Sequence, residues 1–513
     1  MKNLKIFSFG LALLMALTGC SSSFLDTEMT GSSMTQEEYE SIDGTFAATA
    51  TVVGLYPSLY TFGGEHHSFG QKSFDIANDL TSGDIALTTF GYGWFSGDAS
   101  LQAYSSRASE LWSIAYATIK NANGVIYQYQ KMEADSVKFS DEDLAAYAQA
   151  LTMRGYYYFQ MMYLFSTSIA DESPNQRYGG AGGNDFRLIP YYDGSDAQIN
   201  QETGFIAEQD LSTYGFIHEA IKADLTKAIT LFDSAVEYVR PLKLYFDGDV
   251  ARGLLAYTLL HSRNPETQKA DYEKAYDLAK EVINCGRYTM LTYDEVLTNG
   301  FNDINNENWM WGHDLTIDNS TGLASFFGHM DRFTYGYGGI NPGILAIDEN
   351  FYAELDSTDI RKKWFDSKDL GNLWKFYDPE RVVMGDRDWL NDLVYMRIEE
   401  MYLIAAEAAW RSGNNSEAVS VLSELVAERN PKADINENNI KEQIYYNWRI
   451  ELWGEGKSLM TLKRFDMPAK ERGSNHYAYK NQPVDFTQFY LRYTVPYSEY
   501  SQNPSITYNE IIQ

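Results

Sequence analysis

The sequence predicts a mainly α-helical fold, in which a tetratricopeptide-like helical scaffold carries a large, irregular, loop-rich lobe with a few short strands. Two observations predict this fold. Apolar residues recur at helical spacing through much of the chain. The segments between these helical stretches are dense in Gly, Asn, Asp and aromatic residues. Hydrophobic residues make up 44% of the 513 residues, which is enough for a sizeable buried core.

Several single helices are predicted from the spacing of apolar residues. The segment 141–166 follows Ser140, which suits a helix N-cap, and Asp143 stands at the capping-box position. Other segments with the same period are 36–60, 108–132 and 214–234.

Two helical hairpins are predicted farther along the chain. The first joins 249–261 to 272–284, and the second joins 395–411 to 417–429. Helical hairpins of this kind bury their apolar faces only by stacking on each other. The second hairpin has small and apolar residues at spacings close to a tetratricopeptide unit, namely Ala408, Gly413, Ala418, Leu422 and Pro431.

Three loop-rich segments, 61–103, 167–213 and 288–393, are predicted to form the irregular lobe. Long loops inside a compact domain are usually functional. In the third segment, Trp309 and Trp311 alternate as in a strand, so both rings are predicted to pack into the core.

The N-terminus has the features of a lipoprotein signal. Lys2 and Lys5 precede an apolar run over 6–17 that is too short to span a bilayer. The sequence Leu-Thr-Gly-Cys ending at Cys20 resembles a bacterial lipobox. We therefore predict a signal peptide over 1–19, a diacylglycerol thioether on Cys20 and a flexible Ser/Thr-rich tether over 20–35, which attach the protein to a membrane without spanning it.

Charge restricts the classes of ligand. The formal net charge is −30 and the sequence pI is about 4.6. A surface of this sign repels phosphates and anionic headgroups, which excludes nucleic-acid binding and a polybasic membrane contact. A neutral ligand is favoured. The remaining cysteine, Cys285, has no disulfide partner once Cys20 is lipidated, and it is predicted to be a small buried apolar group.

Several blocks of sequence resemble the SusD/RagB family of Bacteroidetes outer-membrane nutrient-uptake lipoproteins. Residues 392–409 resemble its signature helix, 448–456 its second conserved block and 493–504 its C-terminal block. Segments upstream fit in the same order, at 54–56, 111–123 and 154–159.

The resemblance implies a single SusD-like domain over 36–513, with an N-terminal part over about 36–240 and a C-terminal part over about 241–513. It also implies a surface protein of the outer membrane that binds oligo- or polysaccharide and delivers it to a TonB-dependent, SusC-like transporter. Members of the family bind glycans and do not cleave them, so the expectation is a protein that is not an enzyme and needs no cofactor.

Two glycine-rich loops contain the candidate glycan-binding residues. Sugar rings have apolar faces that stack on aromatic side chains, flanked by polar groups that bind the hydroxyls. The first loop, 90–98, holds Tyr92, Trp94 and Phe95 between glycines. By resemblance, the preceding segment contributes Asp84. Trp94 is predicted to be the residue on which binding depends most.

The second candidate loop, 333–339, places Tyr335 and Tyr337 between glycines. For these rings, ligand contact and packing over the scaffold are equally good interpretations. In both loops, a glycine-rich backbone disfavours burial of the rings within a regular helix or strand.

Enzyme motifs are absent from the sequence. There is no zinc-protease, nucleophile-elbow or phosphate-loop pattern. Glu399 and Glu400 are adjacent on a predicted helix and do not face each other as a catalytic pair would. His66 and His67 are predicted to lie in a solvated loop. The alternatives that stay open are a scaffold for peptide or protein cargo and, less favoured, a glycoside hydrolase.

Overall fold

The computed structural model describes residues 51–101, 106–174, 181–201, 203, 206–299, 301–333, 335–376, 391–467, 470–484 and 491–506. Residues 51–513 make one compact unit. The predicted signal peptide, Cys20, the tether and most of the helix predicted over 36–60 lie outside the described residues. None of the helices in the described ranges is long and apolar enough to cross a membrane.

The fold is mainly helical, as predicted. The long helices are α1 (Gln71–Ser82), α3 (Ser106–Ala134), α4 (Asp141–Phe165), α5 (Tyr214–Ser234), α6 (Gly248–Leu260), α7 (Gln268–Ile283), α11 (Ile398–Arg411), α12 (Asn415–Ala427), α13 (Ile440–Glu451) and α14 (Ser458–Phe465). The short helices are α2 (Ser96–Ala99), α8 (Phe326–Met330), α9 (Tyr337–Ile340), α10 (Glu349–Glu354) and α15 (Tyr497–Gln502).

The scaffold is a stack in which most long helices pack on their neighbours in sequence. Contacts run from α3 to α4, α5, α6 and α7 in turn, then from α7 to α11, and from α11 to α12. The step from α7 to α11 crosses the third loop-rich segment, which is therefore an insertion between two packed helices. This stacking confirms the prediction for the paired helices.

Helix α4 is the centre of this scaffold, and most of its residues are buried. The predicted capping box is present: Asp143 N–H donates to the Ser140 hydroxyl at 3.2 Å, and Ser140 N–H donates to the Asp143 carboxylate at 3.0 Å. At the other end, the buried Lys463 amino group donates to the carbonyls of Tyr163 at 2.9 Å and Ser166 at 3.0 Å. These hydrogen bonds satisfy carbonyl groups that the end of the helix leaves without a partner in the helix.

The described strands form four two-stranded antiparallel sheets. Their pairs are β1 (Ile85–Leu87) with β5 (Leu345–Ile347), β2 (Arg187–Pro190) with β3 (Leu211–Thr213), β4 (Trp309–His313) with β6 (Leu393–Arg397), and β7 (Lys470–Glu471) with β8 (Pro483–Val484). The rings of Trp309 and Trp311 are buried, as predicted.

Helix α1 lies inside the segment 61–103, which we predicted to be loop, so that prediction is wrong. Every residue of α1 is buried, although eight of its twelve residues are polar, so its composition resembles that of a loop. Its buried polar side chains are paired with other groups inside the protein. Lys72 and Asp75 form an ion pair of 2.7 Å, and Asp79 accepts backbone N–H groups from Gly454 at 2.8 Å and Ser458 at 3.1 Å.

The helix predicted over 395–411 begins three residues later, because β6 continues through Arg397. Arg397 is the N-cap of α11, and its N–H donates to the Glu400 carboxylate at 2.9 Å. Glu399 pairs with the guanidinium groups of Arg397 at 3.1 Å and Arg429 at 3.2 Å, with all three side chains fully buried. Both glutamates therefore have structural roles, as partners in buried polar contacts of the core.

Cys285 differs from its prediction. It follows the last turn of α7 and is half-exposed, with its thiol 4.0 Å from a carboxylate oxygen of Asp249. The position just beyond a helix end, beside a charged group, explains why it is not an apolar core residue.

Candidate aromatic binding site

The pairing of β1 with β5 brings the two glycine-rich loops together. In this antiparallel pair Leu87 lies opposite Leu345, so the end of β1 adjoins the beginning of β5. The loop that follows β1 and the loop that precedes β5 therefore meet at one edge. Two bonds extend the pairing: Thr88 N–H donates to the Ile344 carbonyl at 3.0 Å, and the Thr88 hydroxyl donates to the Gly343 carbonyl at 2.9 Å.

Each of the two loops contains a glycine that its own conformation requires. Gly93 has φ +86°, a left-handed conformation, and a Cβ there would come within 3.1 Å of the Phe90 ring. A Cβ on Gly338 would come within 2.6 Å of the His329 carbonyl oxygen. Both glycines therefore fix the conformation of their own loops.

The rings from both loops form one aromatic cluster with two histidines. Tyr337 lies edge-on to Tyr92 at 5.5 Å and to Trp94 at 6.3 Å between ring centroids. Trp94 in turn stacks on His66 at 5.1 Å and on His67 at 5.4 Å. Tyr92, Trp94 and Tyr337 were all predicted from the sequence as candidate binding residues, and the structure brings them together.

Exposure separates these rings into two groups. Tyr92 is 67% exposed, and Trp94 and Tyr335 are half-buried. Phe95 and Tyr337 are buried, at 2% and 8%. Only the first group presents a ring to solvent, so Phe95 and Tyr337 support the surface from beneath.

Phe95 is held from below by a buried ion pair. Its φ of +61° is left-handed, which is unusual for a residue with a side chain, and the Arg107 guanidinium lies 5.4 Å from its ring centroid. Arg107 pairs with Asp98 at 3.2 Å and also donates to the His67 carbonyl at 2.9 Å. One arginine therefore fixes both the Trp94 loop and the histidine loop.

Asp84 lies in the core, away from solvent. It is 2% exposed and pairs with Arg449 at 2.7 Å and with Lys470. Burial acts to raise the pKa of Asp84, but the two cations outweigh it and hold the pKa well below its usual range. This carboxylate is committed to a structural ion pair, which corrects its assignment as a ligand contact.

The histidines were missed as part of the site. His66 Nδ1 lies 2.5 Å from the Tyr337 hydroxyl, and His329 Nε2 donates to the His66 carbonyl at 2.7 Å. Burial lowers the pKa of His329 to about 3 and also lowers that of His67, so both rings are neutral at neutral pH. His66 and His67 do lie in a loop, as predicted, but they are half-buried rather than solvated, because both imidazoles pack against Trp94.

The described residues contain no group of three or more His, Cys, Asp or Glu side chains placed to hold a metal ion. The cluster can therefore bind a ligand by stacking: the ring of Tyr92 and the exposed part of the Trp94 ring can pack against an apolar face of the ligand. Two further exposed rings lie beside it: Phe90 is 52% exposed and lies 5.8 Å from Tyr477, which is 44% exposed.

Two ranges of the chain match known protein families. Residues 24–247 match the SusD-like family described as starch-binding and associating with the outer membrane, and residues 334–510 match the SusD family. No curated protein sequence matches the chain. The chain belongs to the SusD family, as the sequence blocks predicted.

Solved structures show the same fold. A SusD-like carbohydrate-binding protein from Bacteroides vulgatus is 23% identical with a TM-score of 0.71, covering 90% of this chain and 97% of its own. A SusD superfamily protein from Bacteroides thetaiotaomicron is 22% identical with a TM-score of 0.69, over 91% and 99%. NanU of Bacteroides fragilis is 15% identical with a TM-score of 0.62, over 94% and 99%.

Proposed function

We propose that this protein captures a neutral oligo- or polysaccharide at the surface of the outer membrane, without cleaving it, and that the aromatic cluster around Tyr92 is its binding site. The observation that carries the proposal is a ring two-thirds exposed to solvent on a support of buried aromatic rings. Phe90 and Tyr477, exposed at 52% and 44%, extend this aromatic surface beside Tyr92, and contiguous exposed apolar surface of this kind marks binding sites. Membership of the SusD family favours a glycan as the ligand.

The acidic surface favours a neutral glycan. With a net charge of −30, the protein repels uronic acids, sulfated sugars and sialic acids at long range. Arg107, the described cation beneath the cluster, does not offset this repulsion, because it is buried under Phe95 in its ion pair with Asp98.

Membrane attachment and delivery to a transporter complete the proposal. The lipobox ending at Cys20 supports a lipid anchor, and the family resemblance supports a TonB-dependent, SusC-like partner. The partner is tested by affinity purification from gently solubilised outer membranes. Recovery of a large β-barrel protein is expected, and recovery of this protein alone under conditions that preserve comparable complexes would refute the partnership.

The glycan function is tested by binding of the purified ectodomain to an array of neutral and anionic glycans, followed by product analysis. We expect retention of neutral glycans and no released sugar. Release of product would identify a hydrolase, and retention of peptides but of no glycan would identify a cargo scaffold. Either result would overturn the proposal.

A further inference from the structure

A second groove, of about 610 Å³, lies along helix α3. It is lined by the rings of Trp112, Tyr116, Tyr127 and Tyr192. At 1.5 Å per residue, the helix positions that line it lie roughly 8 to 30 Å along the axis beyond Arg107, which supports the aromatic cluster. The groove is therefore separate from that cluster, although one helix contributes to both.

The tyrosine rings of this groove are held in place through their hydroxyls. The Tyr116 hydroxyl donates to the Pro190 carbonyl at 2.7 Å, and the Tyr127 hydroxyl donates to the Asp196 carboxylate at 2.9 Å. The Tyr192 hydroxyl accepts the N–H of Gln209 at 3.3 Å. Rings fixed before a ligand arrives lose little freedom on binding, which favours affinity.

Charged side chains of both signs lie along the rim of the groove. Lys120 and Glu208 are exposed and Glu499 is half-buried. All three line the same groove as Tyr192. An ammonium and two carboxylates along one groove give donors and acceptors for hydroxyl groups without a strong preference for an anionic chain.

From this arrangement we infer that the α3 groove is a second binding site for a neutral oligosaccharide. The ligand class rests on the proposed function, whereas the groove itself is independent of the aromatic cluster. A polysaccharide with many repeats can then be held at two places on one protein molecule, and such multivalent contact raises retention above that of either site.

Gly124 provides a way to block the groove with little risk to the fold. It lines the groove, it is exposed on α3, and a Cβ built on it has no heavy atom within 4 Å. Gly124→Trp therefore fills the groove from an open position, and it replaces a poor helix former. Asn121→Trp is the matched control, because Asn121 is exposed on the same helix and does not line the groove.

The experiment measures retention of the full-length ectodomain in native gels containing amylopectin, xyloglucan or galactomannan. On the retained polysaccharide we expect Gly124→Trp to raise the apparent dissociation constant about tenfold, and Asn121→Trp to leave it within about twofold. Tyr92→Ala tests the first site, and the double variant with Gly124→Trp is expected to lose retention altogether. Thermal melting verifies that each variant is folded.

The outcomes separate the two proposals. If Tyr92→Ala weakens retention and Gly124→Trp does not, the groove is not a saccharide site and the proposed function stands. If Gly124→Trp and Asn121→Trp weaken retention equally, the groove proposal is also refuted. If the wild-type protein is retained by none of the three polysaccharides, the proposed function fails, and the groove proposal fails with it.

Discussion

Replacing Tyr92 by alanine is the most direct test of the aromatic cluster. An aromatic side chain buries about 200 Å² when fully enclosed. Tyr92 is 67% exposed, so about a third of that area is buried in the protein and is lost when the side chain is truncated. At about 25 cal/mol per Å², the truncation lowers the free energy of unfolding by about 1.5 kcal/mol. Loss of one stacked ring costs about 1–3 kcal/mol of binding, by analogy with base stacking, or about 5- to 150-fold in Kd.

The assay is isothermal titration with a glycan identified on the array, together with chemical denaturation of the same samples. Tyr92→Phe keeps the ring and is expected to retain most of the affinity. Phe216→Ala is the control for surface truncation: Phe216 is 54% exposed and makes a similar edge contact, 5.3 Å from Tyr191. An unchanged Kd for Tyr92→Ala, or an equal loss for Phe216→Ala, would refute the site.

Trp94 is a less selective probe, although the sequence suggested it first. Its ring is half-buried and stacks on both His66 and His67, so its removal disturbs the histidine loop as well as any ligand contact. Trp94→Ala is therefore expected to lower stability more than Tyr92→Ala does. A loss of affinity in that variant needs the stability measurement before it can be assigned to ligand contact.

Three further outcomes are expected. Cys20→Ala is expected to release the protein from the membrane fraction, as fractionation with acyl labelling shows; undiminished labelling would exclude this cysteine as the anchor. Asp84→Asn leaves Arg449 and Lys470 without their shared carboxylate and is expected to cost about 3–5 kcal/mol of stability in denaturation, while the folded fraction keeps its glycan affinity; a selective loss of affinity would restore Asp84 to the site. Burial acts to raise the pKa of Glu455, but Arg397 and Lys375 outweigh it and lower the pKa to about 2, so stability present above about pH 4.5 is expected to fall as the pH drops toward 2. Glu455→Gln should flatten that acid dependence, and an unaltered slope would argue against the ion pair as its cause.

Several helices were predictable from apolar residues at helical spacing and from a side-chain N-cap at their start. Segments such as 141–166 and 214–234 match α4 and α5 almost residue for residue. Helix α1 escaped prediction because eight of its twelve residues are polar and its N-cap, Gly70, offers no side-chain cap. Burial alone does not hide a helix, because α6 is almost equally buried and was predicted from its apolar residues.

The aromatic residues of the candidate site could be predicted from the sequence, but the way in which their loops meet could not. Glycine-rich loops with aromatic residues marked both halves of the cluster, but nothing in the sequence showed that they meet. The contact depends on β1 and β5, strands of three residues separated by more than 250 positions. Strands this short carry no usable pattern, so the pairing, and with it the recruitment of His66 and His67, was visible only in three dimensions.

In the aromatic cluster, the buried residues hold the loops in place, and the exposed ring is the one available to a ligand. Phe95, Tyr337 and Arg107 are buried and fix the loops through ring contacts and an ion pair, whereas Tyr92 lies outside this support and touches it through one edge contact. If the loop binds a glycan as proposed, substitutions at its exposed positions are expected to change which glycan face is contacted without disturbing the scaffold, since loops on a rigid frame carry function at low cost to the fold. Substitutions at the buried positions act on the fold first and on binding only through it.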